Sequence, residues 1–177
     1  MRQDPQTLCT AFRDHRKIAS GPLRSVAQQL EALQSVLVFD DRTGRVIDVD
    51  PRGYPEPTET KRGPGRPKLG VIPREITLLQ RHWDWLAQQP GGASAAIRRL
   101  VDEARRADGG ATDARMARDA AYRFVHALAG DLPGYEEATR ALFAGDVAGF
   151  ARQMTEWPAD VRDFAQTLAN GSAEPRE

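Results

Sequence analysis

The chain has 177 residues, 40% hydrophobic and 7% aromatic, enough for one domain with a modest second module. No run of ~18 apolar residues occurs, which excludes a membrane-spanning helix. Met1–Pro5 leads into no apolar signal core, so a cytoplasmic protein is expected. One cysteine, Cys9, excludes an internal disulfide, and no cysteine–histidine spacing suits zinc. Twenty-five basic and 25 acidic side chains cancel, but unevenly: residues 1–60 carry −1, 61–106 carry +6 and 107–177 carry −5. Local charge of this kind steers a polyanion more than the total does.

Residues 1–50 read as a small α+β domain of order strand–strand–helix–strand–strand. Leu8–Phe12 and Ile18-Ala19 flank a polar turn at Asp14–Lys17, a hairpin signature. Pro22 then opens a helix whose Leu23, Val26, Ala27, Leu30 and Leu33 recur at three- and four-residue spacing. Ser35–Phe39 and Arg45–Val49 surround a turn ending in Gly44, a second hairpin.

Residues 51–73 are rich in proline and glycine and read as an extended linker. Lys61, Arg62, Arg66 and Lys68 give it four cations and no acid between 61 and 68. Its Gly65-Arg66-Pro67 core resembles an AT-hook, a thin segment that lies in an A·T-rich minor groove with arginine inserted. Pro64 stands where the hook's first arginine falls, leaving Arg66 alone to insert. A solvated basic linker is the alternative.

Residues 74–107 read as a short strand and two helices. Pro73 fixes entry into Arg74–Leu79; Arg81–Gln89 carries Trp83, Leu86 and Ala87 on one side and Trp85 on another. Trp85 is therefore expected at a contact with another domain or subunit, with burial on both sides within one chain as the alternative. Pro90-Gly91-Gly92 stops this helix. Ser94 offers an N-cap, and Ile97, Leu100, Val101 and Ala104 form the stripe of the next, with Arg98, Arg99, Arg105 and Arg106 on its polar faces. So short a segment cannot bury a core alone.

Glu75–Arg106 resembles the ribbon-helix-helix fold, in which two chains pair one strand each into a ribbon that enters the major groove. The N-terminus of the second helix there holds a phosphate. The resemblance implies a homodimer on double-stranded DNA. Arg74 would touch phosphate, Thr77 would face base edges, and Gly92, Ala93 and Ser94 would cap a phosphate. The ribbon's Glu75 departs from the family's usual cationic or amide readers. A helix hairpin packed into a single-chain core is the competing reading.

Residues 111–171 read as an acidic helical domain of several short helices. Met116, Tyr122, Phe124, Val125, Leu128, Leu142, Phe143, Val147, Phe150, Met154, Trp157, Val161, Phe164 and Leu168 are its candidate core. The whole chain resembles a bacterial family known only as a domain of unknown function, chiefly through Phe39–Gly44, Gly65–Gly70 and Arg81–Leu86. That resemblance implies no activity.

No catalytic motif is present, and no enzyme, cofactor or metal site is expected. His15, His82 and His126 show no ligand spacing, with His82 read as a helix-surface residue. Asp40, Asp41, Asp48 and Asp50 read as turn-forming aspartates, and Cys9 as a small buried residue. The expected function is dimeric DNA binding by a regulator or nucleoid-type protein. The alternative is an antitoxin-like or adaptor module holding a protein partner through residues 111–171.

Overall fold

Two hairpins around one helix build a sheet, and helices from the far end of the chain cover its second face. A computed structural model describes residues 4–30, 35–50, 54 and 72–171. In chain order the elements are β1 (Leu8–Arg13), β2 (Arg16–Pro22), α1 (Leu23–Gln29), β3 (Val36–Asp40), β4 (Val46–Ile47), α2 (Gln80–Ala87), α3 (Gly92–Asp108), α4 (Ala111–Leu128), α5 (Tyr135–Ala144), α6 (Val147–Gln153) and α7 (Ala159–Ala169). The protein is α+β. Residues 1–55 and 111–177 form a first unit, and 56–110 a second.

In the first unit the strands run in the order β2-β1-β3-β4, each neighbour antiparallel. Successive side chains of a strand point to opposite faces, and here both faces are covered. Cys9, Ala11, Ala19, Val38 and Ile47 pack with Leu23 and Val26 of α1. Phe12 and Phe39, one position along their strands, join the core of α4, α5 and α7. Four rings meet there: Phe124 lies 5.2 Å from Phe12, 4.9 Å from Phe39 and 4.7 Å from Phe164 between centroids.

This shared core changes the expected domain division. Residues 1–50 and 111–171 are not separate domains, because Phe12 and Phe39 are fully buried only where helices from the C-terminal half meet the sheet. Hydrogen bonds tie the same seam. The ring Nε2 of His15 bonds the Leu128 carbonyl at 3.0 Å, and the Lys17 amide donates to Asp160 at 2.9 Å. Arg123 donates to the Thr43 carbonyl at 2.9 Å.

The helices are punctuated as expected. Gly134 and Gly145 adopt left-handed backbone at the two ends of α5, and Asp146 caps α6 by accepting from the Gly149 amide at 2.8 Å. Three residues of the expected core are instead exposed: Met116, Phe143 and Val147. Alanines take the close packing on α4, where Ala117, Ala120 and Ala121 are buried beside Phe124 and Val125.

Cys9 is fully buried, as expected, and its thiol donates towards the Gly21 carbonyl at 3.5 Å. Burial, then the carboxylates of Asp41 and Asp40, push its pKa up to about 12. At pH 8 it holds roughly a thousandfold less thiolate than a free cysteine. Iodoacetamide should therefore label the folded chain at the rate of unfolding and the denatured chain within minutes. Fast labelling in native buffer would place Cys9 at the surface.

The second unit has a different character. Residues 72–79 enter no β-ladder, so the expected strand at 75–79 is not formed within this chain. A strand needs a neighbour to satisfy its amides and carbonyls, and none is supplied among the described residues. Leu79, the residue that leads into α2, is extended, at φ −68°, ψ 152°. The second helix begins at Gly92, capped by left-handed Gly91, so Ser94 lies inside the first turn and makes no side-chain cap. The expected core is thin. Leu86 and Ala96 are buried, whereas Trp83, Trp85, Leu100 and Val101 are all exposed. Trp85 and Trp83 are both exposed, and among the described residues no element of this unit covers either side.

Candidate nucleic-acid interface

The interface expected from sequence falls on the second unit and the segment before it. Lys61, Arg62, Arg66 and Lys68 lie outside the described residues. Arg74 and Thr77 are exposed on the segment that precedes α2. On α3 the 3.6-residue period separates an apolar stripe from the cations. Ile97, Leu100, Val101 and Ala104 share one side, and Arg99 and Arg106 lie opposite with Arg98 and Arg105 flanking. Part of this charge is already engaged. Arg99 donates to Gln89 at 3.3 Å and pairs with Glu103 at 4.0 Å, and Arg106 donates to the Asp102 carbonyl at 3.1 Å. Arg98 and Arg105 are exposed and make no ion pair among the described residues.

The start of α3 corrects one expectation. The Gly92 amide donates to the Gln89 carbonyl at 3.1 Å and is not available to cap a phosphate. The amides of Ala93 and Ser94 have no backbone acceptor among the described residues, so only two of the three expected donors remain.

The first unit carries a feature that sequence reasoning missed. A groove of about 970 Å³ runs between the β3–β4 turn and the ends of α4 and α7, lined by Asp4, Asp40, Asp41, Arg42, Asp113 and Asn170, among others. These four carboxylates come from three separated stretches of the chain, so no local spacing announces them. Among the described residues no group of histidine, cysteine or carboxylates could hold a metal ion. Within the groove the turn aspartates are structural, as expected. Asp40 accepts from the amides of Arg42 and Thr43 at 2.9 and 2.7 Å, an Asx-type turn. Asp41 accepts from the Thr10 hydroxyl at 2.8 Å; burial raises its pKa, the Thr10 bond and Lys17 oppose the rise, and Asp40 adds to it.

His82 is exposed on α2, as expected. His126 bonds the Tyr135 hydroxyl at 2.9 Å and stacks on Tyr122. His15 lies in the β1–β2 turn, His82 on α2 and His126 on α4, and among the described residues no group that could hold a metal ion is formed.

These features describe an α+β bacterial-type protein with a two-faced sheet in one unit and an uncovered arm and helix pair in the other. The chain belongs to the family described as an uncharacterized protein conserved in bacteria, DUF2239, whose model matches residues 8–169. No curated protein and no solved structure gives a significant match. Among the described residues no helix is long and apolar enough to cross a membrane. The Phe39–Gly44 segment that carries part of the family resemblance is the turn clasped by α4 through Arg123 and Gly44.

Proposed function

We propose that this chain is a DNA-binding protein of the transcriptional or nucleoid type, working as a homodimer through its second unit. The supporting observation is the state of residues 72–101: an exposed arm that joins no β-ladder, followed by two helices on which Trp83, Trp85, Leu100 and Val101 lie open. Two such arms joined antiparallel would satisfy each other's backbone and bring the open Trp83, Leu100 and Val101 surfaces under cover. The cations then fall on the outside. Arg74, Arg98 and Arg105 would meet phosphates, and the amides of Ala93 and Ser94 one phosphate more. Thr77 would face base edges, and Lys61, Arg62, Arg66 and Lys68 would add grip in a neighbouring groove.

Contacts of this type release counterions. Affinity for a 30-base-pair duplex, followed by fluorescence anisotropy, should fall roughly a thousandfold between 50 and 200 mM salt if about six phosphates are neutralised. Changing Arg98 and Arg105 together to glutamine should flatten that slope, by about one phosphate for each arginine lost in each protomer. Absent binding, or binding indifferent to salt, rejects the reading.

A second reading draws on a different observation. Phe143 and Val147 are about half exposed on α5 and α6, which favours a protein partner held by residues 111–171. It predicts that the chain captures such a partner and ignores DNA.

A further inference from the structure

The first unit has a second, smaller cavity, on the side of the bundle where α4, α5, α6 and α7 converge. Its volume is about 170 Å³, and Ala114, Arg118, Leu142, Val147, Phe150 and Ala169 line it. Five of these six are apolar. Leu142 and Phe150 belong to the buried core, so the floor is rigid packing rather than loop. Gly145 forms part of the rim with no side chain, and a Cβ there would meet open space.

Arg118 is the one charged group in that lining. It is half-buried on α4, and no ion pair or hydrogen bond to it exists among the described residues. Its helix neighbour Arg123, by contrast, is held by Asp119 and by the Thr43 carbonyl. Among the described residues this guanidinium at the edge of an apolar hollow has no carboxylate partner, and it can meet an anion there. The arrangement suits a ligand with an apolar body and an anionic end. An apolar cavity of roughly 150 Å³ is enough to take a benzene-sized group, and a guanidinium binds a carboxylate through two parallel hydrogen bonds.

We propose that this cavity is a binding site for a small aryl or branched-alkyl carboxylate, its hydrocarbon seated between Leu142, Val147 and Phe150 and its carboxylate on Arg118. The site lies wholly within the first unit and does not rest on the DNA-binding reading. Its volume matches one ring or one branched chain. Val147 is exposed at the mouth, which leaves a path for entry.

The test uses 3-phenylpropanoate and its neutral counterpart 3-phenylpropanol, titrated into the full-length protein and followed by amide chemical shifts. Shifts should centre on residues 114, 118, 145 and 147, with the carboxylate binding at least tenfold tighter than the alcohol. Arg118→Gln should bring the two affinities together, and Arg118→Lys should restore part of the difference. Ala114→Leu, at an exposed position in the lining from which a larger side chain can fill the hollow, should weaken both. Circular dichroism and the melting midpoint identify any variant that fails to fold, and the wild-type comparison of acid with alcohol stands without them. Equal affinity of the two probes for the wild type overturns the carboxylate assignment. Absence of shifts around the cavity at tens of millimolar overturns the site.

Discussion

Phe124→Ala should lower the stability of the first unit by about 3–5 kcal/mol, the range for removing a fully buried aromatic side chain. Phe124 is the ring that touches Phe12 and Phe39 of the sheet and Phe164 of α7 at once. The cost therefore contains lost dispersion with three partners and a cavity that rigid strands on one side cannot collapse to fill. In a unit of this size the melting midpoint should drop by roughly 10 °C or more. One cooperative transition, with sheet and helices melting together, is the expected form in both proteins. A loss below about 1 kcal/mol, or separate transitions, would mean that the sheet and the bundle are held independently.

The second large effect is expected at Gly44. Its backbone has φ +64°, where a side chain is disfavoured, and a Cβ there would collide with the carbonyl group of Ala120 on α4. The obstacle is helix backbone, which cannot rotate aside. Gly44→Ala should cost roughly 2–4 kcal/mol, the left-handed penalty and the overpacking together. Gly145 isolates the two contributions. It has φ +73°, but a Cβ added there meets nothing, so Gly145→Ala should cost only about 1 kcal/mol. Urea denaturation of the three proteins checks both figures. Equal losses would remove the close approach of the β3–β4 turn to α4 as the reason for glycine.

Much of the first unit was legible in its sequence. Both hairpins, the helix between them and the break points of the C-terminal helices follow from β-branched runs, turn residues and three- and four-residue spacing. What local reading did not convey was that the sheet is covered on both faces. The signal was present: Leu8–Phe12 and Val36–Phe39 are nearly unbroken apolar runs rather than strict alternations, and such runs belong to strands buried on two sides. Phe12 and Phe39 needed a partner layer, and only the distant 111–171 segment had the apolar content to supply it. Met116, Phe143 and Val147 failed as core residues for the converse reason. Helical period identifies a stripe, but α4 packs through alanines, and where helices approach that closely larger residues on the flanks are left outside.

The candidate interface was legible in composition and only partly in geometry. The +6 middle, the break at Pro90–Gly92 and the cationic flanks of α3 follow from residue type alone. That the Gly92 amide is spent on Gln89, and that Arg99 and Arg106 are partly engaged, depends on helix-end geometry that no residue pattern specifies. The aspartate groove and the Arg118 cavity were invisible for another reason: each gathers residues from elements far apart in the chain.

The account of the second unit rests on its completion by a second copy of itself. Sedimentation equilibrium of the full chain, with Ile76→Lys as comparison, tests this directly. A dimer at micromolar concentration that dissociates when lysine is placed in the arm is the expected result. A strict monomer up to about 100 µM, an order of magnitude above the expected range, would contradict the proposal that residues 72–79 of two chains pair to present a surface to DNA.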